Sequence, residues 1–334
     1  MRRRRCRSGG LTLVELLVVI GLLSAFSYMS FRLLSGGLSV WKLGEESRDQ
    51  DERAQAVLDL VRRDLAQADA SALSRFEVEV KDDATRMRLV RTLGASEEAR
   101  LHAGLALAPG AAKAPARPSM GLLEVAYAWT RDPAAGDPAV GVVRRAVAPL
   151  EADRDPRSLF TKDAFAAGGA FDSRAADIVG GVLRLAFEMP GPVGDVDEWD
   201  SGNLRPDATA EPRIPRRVRV SLHLEREERD RRVVRLAAPI DAAATRFDLD
   251  DPRLYAIAAG DPVKIDGEWM IAASSEPRAL LVARRGALGT AAASHEIGAA
   301  LHRGRAFSLE VPIDCHRESS ASRPAASAAG EAYR

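Results

Sequence analysis

The first thirty residues constrain this chain more than any other stretch. Five of residues 2–7 are arginine, Ser8-Gly9-Gly10 follows, and Leu11–Phe31 then runs for 21 residues with Glu15 as its only charge. As a helix that run is about 31 Å long, the thickness of one hydrocarbon core. The arginines hold their end in the cytoplasm and place everything after Phe31 across the membrane. A cleaved secretory signal fits poorly, because its small-residue site should follow the apolar stretch and Gly9-Gly10 precedes it. A lipoprotein signal fails for the same reason, with Cys6 on the wrong side.

Glu15 sharpens the reading. A carboxylate inside a membrane span costs a few kcal/mol on insertion scales and normally has a functional partner. If the chain is cut after Gly10, a new α-amine lies four residues away, one helical turn from Glu15. The carboxylate can then neutralise its own terminus or that of a neighbouring subunit. The plainer alternative is a carboxylate near the end of the span that reaches the headgroups.

The stretch Gly10-Leu11-Thr12-Leu13-Val14-Glu15-Leu16-Leu17-Val18-Val19-Ile20 resembles the prepilin signature of type IV pilins and type II secretion pseudopilins. The resemblance implies that a membrane prepilin peptidase cuts between Gly10 and Leu11 and N-methylates Leu11. Leu11 stands where phenylalanine is commoner. It also implies an inner-membrane anchor, a periplasmic C-terminal domain and assembly into a pilus-like fibre, with Glu15 as the assembly residue.

Composition agrees with a packed domain. The 48 basic and 48 acidic residues balance, which argues against a dedicated nucleic-acid binder. Removing residues 1–10 takes five arginines and leaves 43 basic against 48 acidic residues, net −5. Cys6 and Cys315 are too few for a four-thiolate zinc site or a disulfide framework. Cys315 would be alone after cleavage, so no internal disulfide is expected.

Beyond the span, Ala54, Val57, Leu58, Val61, Leu65 and Ala68 recur at helical spacing, with Arg62, Arg63 and Asp64 off that face. Gly36-Gly37 and Gly44 are candidate kinks, and Ser71 marks the expected helix end. Alternation predicts strands at 76–80, 123–129, 140–147, 182–187 and 214–224. Residues 103–118 and 152–176 read as irregular, and 190–212 as a polar loop holding Trp199. This order is similar to the minor pseudopilin J family: a Tyr127 strand, a partner strand with Arg144-Arg145, then Leu183–Phe187, Trp199 and Pro215–Leu224. The stem segment Val61-Arg62-Arg63-Asp64-Leu65-Ala66-Gln67-Ala68 resembles that family too.

The chain then departs from the family. Val263–Ile271 reads as a hairpin with an Asp266-Gly267 turn, followed by Leu280–Gly286 and Gly289–His295. This stretch is similar to a short β repeat of phage tail and surface proteins. The expected fold is α+β and pilin-like: a long N-terminal helix packed on an antiparallel β domain, with a small inserted β module. The expected parts are a leader 1–10, a transmembrane helix 11–33, a stem helix 34–72, a β domain 73–236, an insert 237–304, a return strand 305–316 and a disordered tail 317–334.

No catalytic constellation emerges. HExxH, GxSxG, P-loop and helix-opening GxGxxG patterns are absent, and the five histidines have no CxxC partner. His223 is expected to face solvent. The loop with Asp195, Asp197 and Asp200 is a weak calcium candidate, set against a solvated acidic loop lacking EF-hand spacing. Asp248, Asp250 and Asp251 read as turn formers. The resemblance therefore implies a structural role: a minor pseudopilin near the tip of a type II secretion pseudopilus, helping to initiate assembly and export. Its implied partners are the I-type and K-type minor pseudopilins, the major pseudopilin, the assembly platform, its ATPase and the prepilin peptidase. The alternatives are a minor pilin of a type IV pilus, in adhesion or DNA uptake, and an unprocessed membrane-anchored binding module.

Overall fold

A computed structural model of the chain describes residues 13–69, 75–81, 84–93, 121–132, 136–150, 155–190, 194–200, 214–225, 233–251 and 257–313. The chain divides into two compact units, with the boundary between Glu52 and Arg53. The described part of the first unit is the leading stretch of one long helix, α1 (Leu13–Ala66). Glu15 lies in its first turn and Arg63 in its last, the signs that the helix dipole favours. Gly36, Gly37 and Gly44 lie within the helix and do not interrupt it.

In the second unit about four turns of α1, from Arg53, accompany an antiparallel sheet. Its strands are β1 (Phe76–Lys81), β2 (Ala84–Thr92), β3 (Leu122–Arg131), β4 (Gly141–Pro149), β5 (Ala176–Pro190), β6 (Asp195–Val196), β7 (Trp199–Asp200) and β8 (Arg217–Glu225). They continue with β9 (Arg246–Asp248), β10 (Pro262–Ile265), β11 (Glu268–Glu276), β12 (Ala279–Ala287) and β13 (Leu301–Pro312). The order is β7-β1-β2-β3-β4-β5-β8-β13-β10-β11-β12-β9, and β6 pairs with β5. The fold class is therefore α+β, as the sequence predicts.

The periodicities explain the layers. Ala54, Val57, Leu58, Val61 and Leu65 of α1 meet Phe76, Val78, Met87, Leu89, Val125, Tyr127 and further strand residues in one apolar core. The opposite face of β3 and β4 carries Ala126, Ala128, Ala146 and Ala148. Those small side chains let the turn-rich segment 155–175 lie close, with Leu159, Ala164 and Phe171 against them. Burial on both faces is why β3 is buried at eight consecutive residues instead of alternating. Glu124 fastens the segment: it accepts hydrogen bonds from the Ser158 hydroxyl (3.0 Å) and the Leu159 N–H (2.5 Å).

A second apolar core, with Phe247, Leu249, Val263, Ile265, Met270 and Leu280, sits under β9 to β12. β13 joins the two halves of the sheet, pairing with β10 over Leu301–Arg303 and with β8 over Gly304–Pro312. At the crossing Gly304 packs closely: a Cβ there would lie 2.9 Å from a Leu183 methyl and 3.3 Å from the Leu224 carbonyl. Asp266 turns the β10–β11 hairpin with φ of 48°, the left-handed geometry that an Asp-Gly turn provides.

Three local readings differ from the sequence expectation. β2 alternates arginines with Met87 and Leu89, so its apolar signal is halved, and pairing with β1 and β3 defines it. Trp199 does not stand in a loop; it pairs with Val78 of β1. Residues 289–295 form no strand; His295 makes an isolated bridge to Ile240. The expected tail 317–334 lies outside the described residues.

Candidate functional site

The most distinctive surface is the leading half of α1. Leu16, Leu17, Val18, Val19, Ile20, Leu22, Leu23 and Phe26 are all exposed, and exposed apolar residues continue through Phe31, Leu34 and Leu38 to Trp41. α1 is the one helix among the described residues long and apolar enough to cross a membrane. Arg32 follows Phe31 and donates to the Tyr28 hydroxyl at 3.2 Å. Glu15 lies on this surface in the first helical turn. Gly10 and Leu11, the expected processing pair, lie outside the described residues.

Farther along, one carboxylate fixes the helix to the sheet. Asp64 and Arg91 are each about 1% exposed. Asp64 forms an ion pair with Arg91, whose Nε lies 3.1 Å away, and accepts from Arg145 Nε at 2.8 Å and Nη2 at 3.0 Å and from the Tyr127 hydroxyl. Arg145 therefore grips both carboxylate oxygens, the fork geometry that makes arginine the preferred partner. Burial, reinforced by the Asp64 charge, pushes the Tyr127 phenol far up, so it stays protonated, donating to Asp64 while accepting from Arg145 Nε at 3.1 Å. Arg91 also reaches the Gln67 amide oxygen at 2.7 Å, and the Asp69 N–H donates to the Val90 carbonyl at 2.9 Å. The last turn of α1 is thus stapled to β2, β3 and β4. Periodicity sets Asp64 off the apolar stripe, yet it is buried, because two sheet arginines neutralise it. Arg91 gave no sequence signal, being one of many arginines in β2.

A second polar junction joins β13 and the β10–β11 hairpin to the main sheet. Lys264 is buried and donates to the carbonyls of Ala139 and Leu183, both at 2.8 Å. Its ammonium lies 4.9 Å from the Trp129 ring and 5.7 Å from that of Trp269, two aromatic faces that favour a desolvated cation. Trp129 Nε1 donates to the Val182 carbonyl at 2.8 Å.

His223 is buried here too, against the edge of Trp269 at 5.0 Å, so the expectation that it faces solvent is corrected. It does lie opposite the apolar side of β8, but Trp269 of the second half covers that side. Its Nδ1 has no hydrogen-bond partner among the described residues. Burial, with Arg184 and Lys264 nearby, lowers its pKa to about 4. His302 is the counterpart: Nδ1 meets Glu225 at 2.6 Å and Nε2 meets Asp137 at 3.1 Å. Burial lowers its pKa, but the bond to Glu225 and the two carboxylate charges outweigh that and raise it.

Glu268 organises the loop after β12. It receives Arg285 at 2.7 Å, His295 Nε2 at 2.9 Å and the N–H groups of Gly286 and Ala293 at 3.0 and 2.9 Å. Burial would raise its pKa, but Arg285 and the other donors win and hold it at about 2. Both nitrogens of His295 are engaged, since Nδ1 meets Asp266 at 2.7 Å. Of the calcium candidates, Asp195 lies on β6 beside β5, Asp200 on β7 beside β1, and Asp197 is exposed between them. Among the described residues no three His, Cys, Asp or Glu side chains converge as metal ligands.

Replacing Asp64 with Asn leaves two buried guanidiniums short of their counter-charge and is expected to cost about 3–5 kcal/mol. Tyr127→Phe removes one hydrogen bond and is expected to cost about 1–2 kcal/mol. Urea unfolding of the detergent-solubilised chain checks both. The histidines act on pH in opposite senses. His223 must protonate on unfolding, so its contribution is present above pH 6.5 and is lost as pH falls toward about 4. His302 is charged when folded, so its contribution is present below pH 6.5 and is lost as pH rises through its raised pKa. Thermal unfolding from pH 4 to 9 should show His223→Phe flattening the acid limb and His302→Phe the alkaline one.

No family model matches the chain, and no curated protein matches it.

Proposed function

We propose that the chain is a minor subunit of a pilus-like secretion fibre, similar to the J-type minor pseudopilins of type II secretion. Cleavage between Gly10 and Leu11 and methylation of Leu11 would precede assembly. One observation carries the reading: a single 54-residue helix whose leading half is apolar and exposed, and whose last four turns or so are buried along one stripe against an antiparallel sheet. The leading half needs lipid before assembly and neighbouring helices after it. The trailing half needs the sheet in order to hold a folded domain at the fibre surface.

In this reading the fold is pilin-like, and Asp64 with Arg91, Arg145 and Tyr127 transmits load between stem and head. The strands around the second apolar core form an insert that enlarges the tip surface offered to exported protein or to an outer-membrane channel. The partners are the I-type and K-type minor pseudopilins, the major pseudopilin and the inner-membrane platform. Glu15 meets a terminal amine inside the helix bundle, a match that offsets the cost of a carboxylate in lipid.

The role is assembly, so its test is an assembly defect with processing intact. Glu15→Ala is expected to leave leader cleavage unchanged while incorporation into isolated fibres and export of secreted protein both fall at least tenfold. Unchanged incorporation would remove Glu15 from assembly and with it the main support for the reading.

A further inference from the structure

The chain leaves the main sheet after Glu225, the last residue of β8, and returns to it at Gly304, which stands directly opposite Glu225 in the β13–β8 register. Among the described residues, the backbone pairs of the segment between them stay within it. Leu301–Arg303 pair with β10, the Leu301 N–H donates to the Val234 carbonyl, and Arg235 bridges to Ala300. The segment packs around the second apolar core. Its exit and return lie side by side, so it hangs from the main sheet by a two-strand neck, with a glycine on one strand. Such a neck permits a hinge motion, in which a few backbone angles at strand ends change and both bodies keep their cores.

Beyond the neck, side chains hold the segment down. A small apolar contact sets Trp269, Ala287 and Leu288 against Val140 and Leu183. Ionisable groups surround it. Lys264 donates to the Ala139 and Leu183 carbonyls, and His302, directly opposite it on β13, meets Asp137 across the joint and Glu225 at the neck. His223 of β8 lies under the edge of the Trp269 ring. The charges that act on it are both positive: Arg184 of β5, its register partner, and Lys264 of β10. Ala306 of β13 stands on its other side. The carboxylates of the joint, Asp137 and Glu225, both serve His302, while Glu188 and Asp197 act on Arg184. His223 Nδ1 is buried and has no hydrogen-bond partner among the described residues. A proton there would set a third cation beside two others beneath Trp269.

We infer that this segment is a hinged body latched over His223, and that acid releases it from the main sheet with both apolar cores intact. Once Trp269 and Lys264 move away, the imidazole meets water and takes its proton near the ordinary 6.5, against about 4 while it is covered. Linkage then weakens docking about tenfold for each pH unit between those values, roughly 300-fold across the whole interval. His302 is charged throughout that interval and keeps its hold on Asp137, so the body stays closed at neutral pH. The device lies far from the exposed part of α1 and does not depend on the fibre reading.

Paired spin labels test this in the full detergent-solubilised chain, with Cys6→Ser and Cys315→Ser as background. Ser274→Cys on the hinged body and Ala167→Cys on the segment over β3 and β4 provide exposed labelling sites. A single interlabel distance is expected at pH 7.5. At pH 4.5 a second distance should appear while far-UV circular dichroism stays unchanged, its share rising about tenfold per pH unit for as long as it is the minor form. His223→Phe and His223→Gln remove the proton site in an apolar and a polar way. Each variant that shows the single distance at pH 7.5 should keep it at pH 4.5. One distance at every pH, a second distance that persists in such a variant, or a second distance that comes only with loss of circular dichroism would each overturn the inference.

Discussion

Asp64 is buried among cations, and the placement of α1 on the sheet depends on it. Its carboxylate is shared by Arg145 and Arg91 and receives the Tyr127 hydroxyl, so three successive strands converge on one point near the end of the helix. Apolar contacts between a helix stripe and a sheet tolerate sliding and rotation. A bidentate ion pair in a low-dielectric interior does not, because moving either partner leaves a desolvated charge. The cluster therefore fixes rotation and register where greasy contacts alone would leave them loose.

The surface of α1 changes along its length. From Leu13 to Trp41 its apolar residues are exposed. From Arg53 a single stripe is buried and the rest of the surface is polar, with Arg62 paired to Asp59 on the outside at 2.9 Å. The shared carboxylate lies near the end of that buried stripe.

The two halves of the sheet are joined in a different way. The main half and the half around the second core each have their own apolar cluster, and β13 runs through both. Their junction is polar at its heart: a lysine between two tryptophans, one histidine lacking a partner for Nδ1 among the described residues, and another held by two carboxylates. Buried titratable groups make that joint responsive to pH in a way the apolar cores are not.

Sequence legibility follows from the same physics. The buried stripe of α1, the Asp-Gly hairpin and most long strands were readable because one-sided burial imprints a period of 3.6 or 2. β2 was not, since arginines alternate with its apolar residues, and β3 lost its alternation because both its faces are covered. His223 looked solvent-facing because β8 alone cannot reveal that Trp269, far along the chain, lies over it. The Asp64 cluster was half legible: Asp64, Tyr127 and Arg145 stood in segments singled out for their family likeness, but only the fold brings them together with Arg91. The prepilin-like signature around Gly10, Leu11 and Glu15 is a matter of chemistry that the fold does not encode, and its first residues lie outside the described part. The central claim is therefore tested most directly by the mass of the N-terminal peptide of the protein purified from its native membranes. The account predicts a chain beginning at N-methylated Leu11. A chain retaining Arg2–Gly10 in cells with an active prepilin peptidase would contradict it.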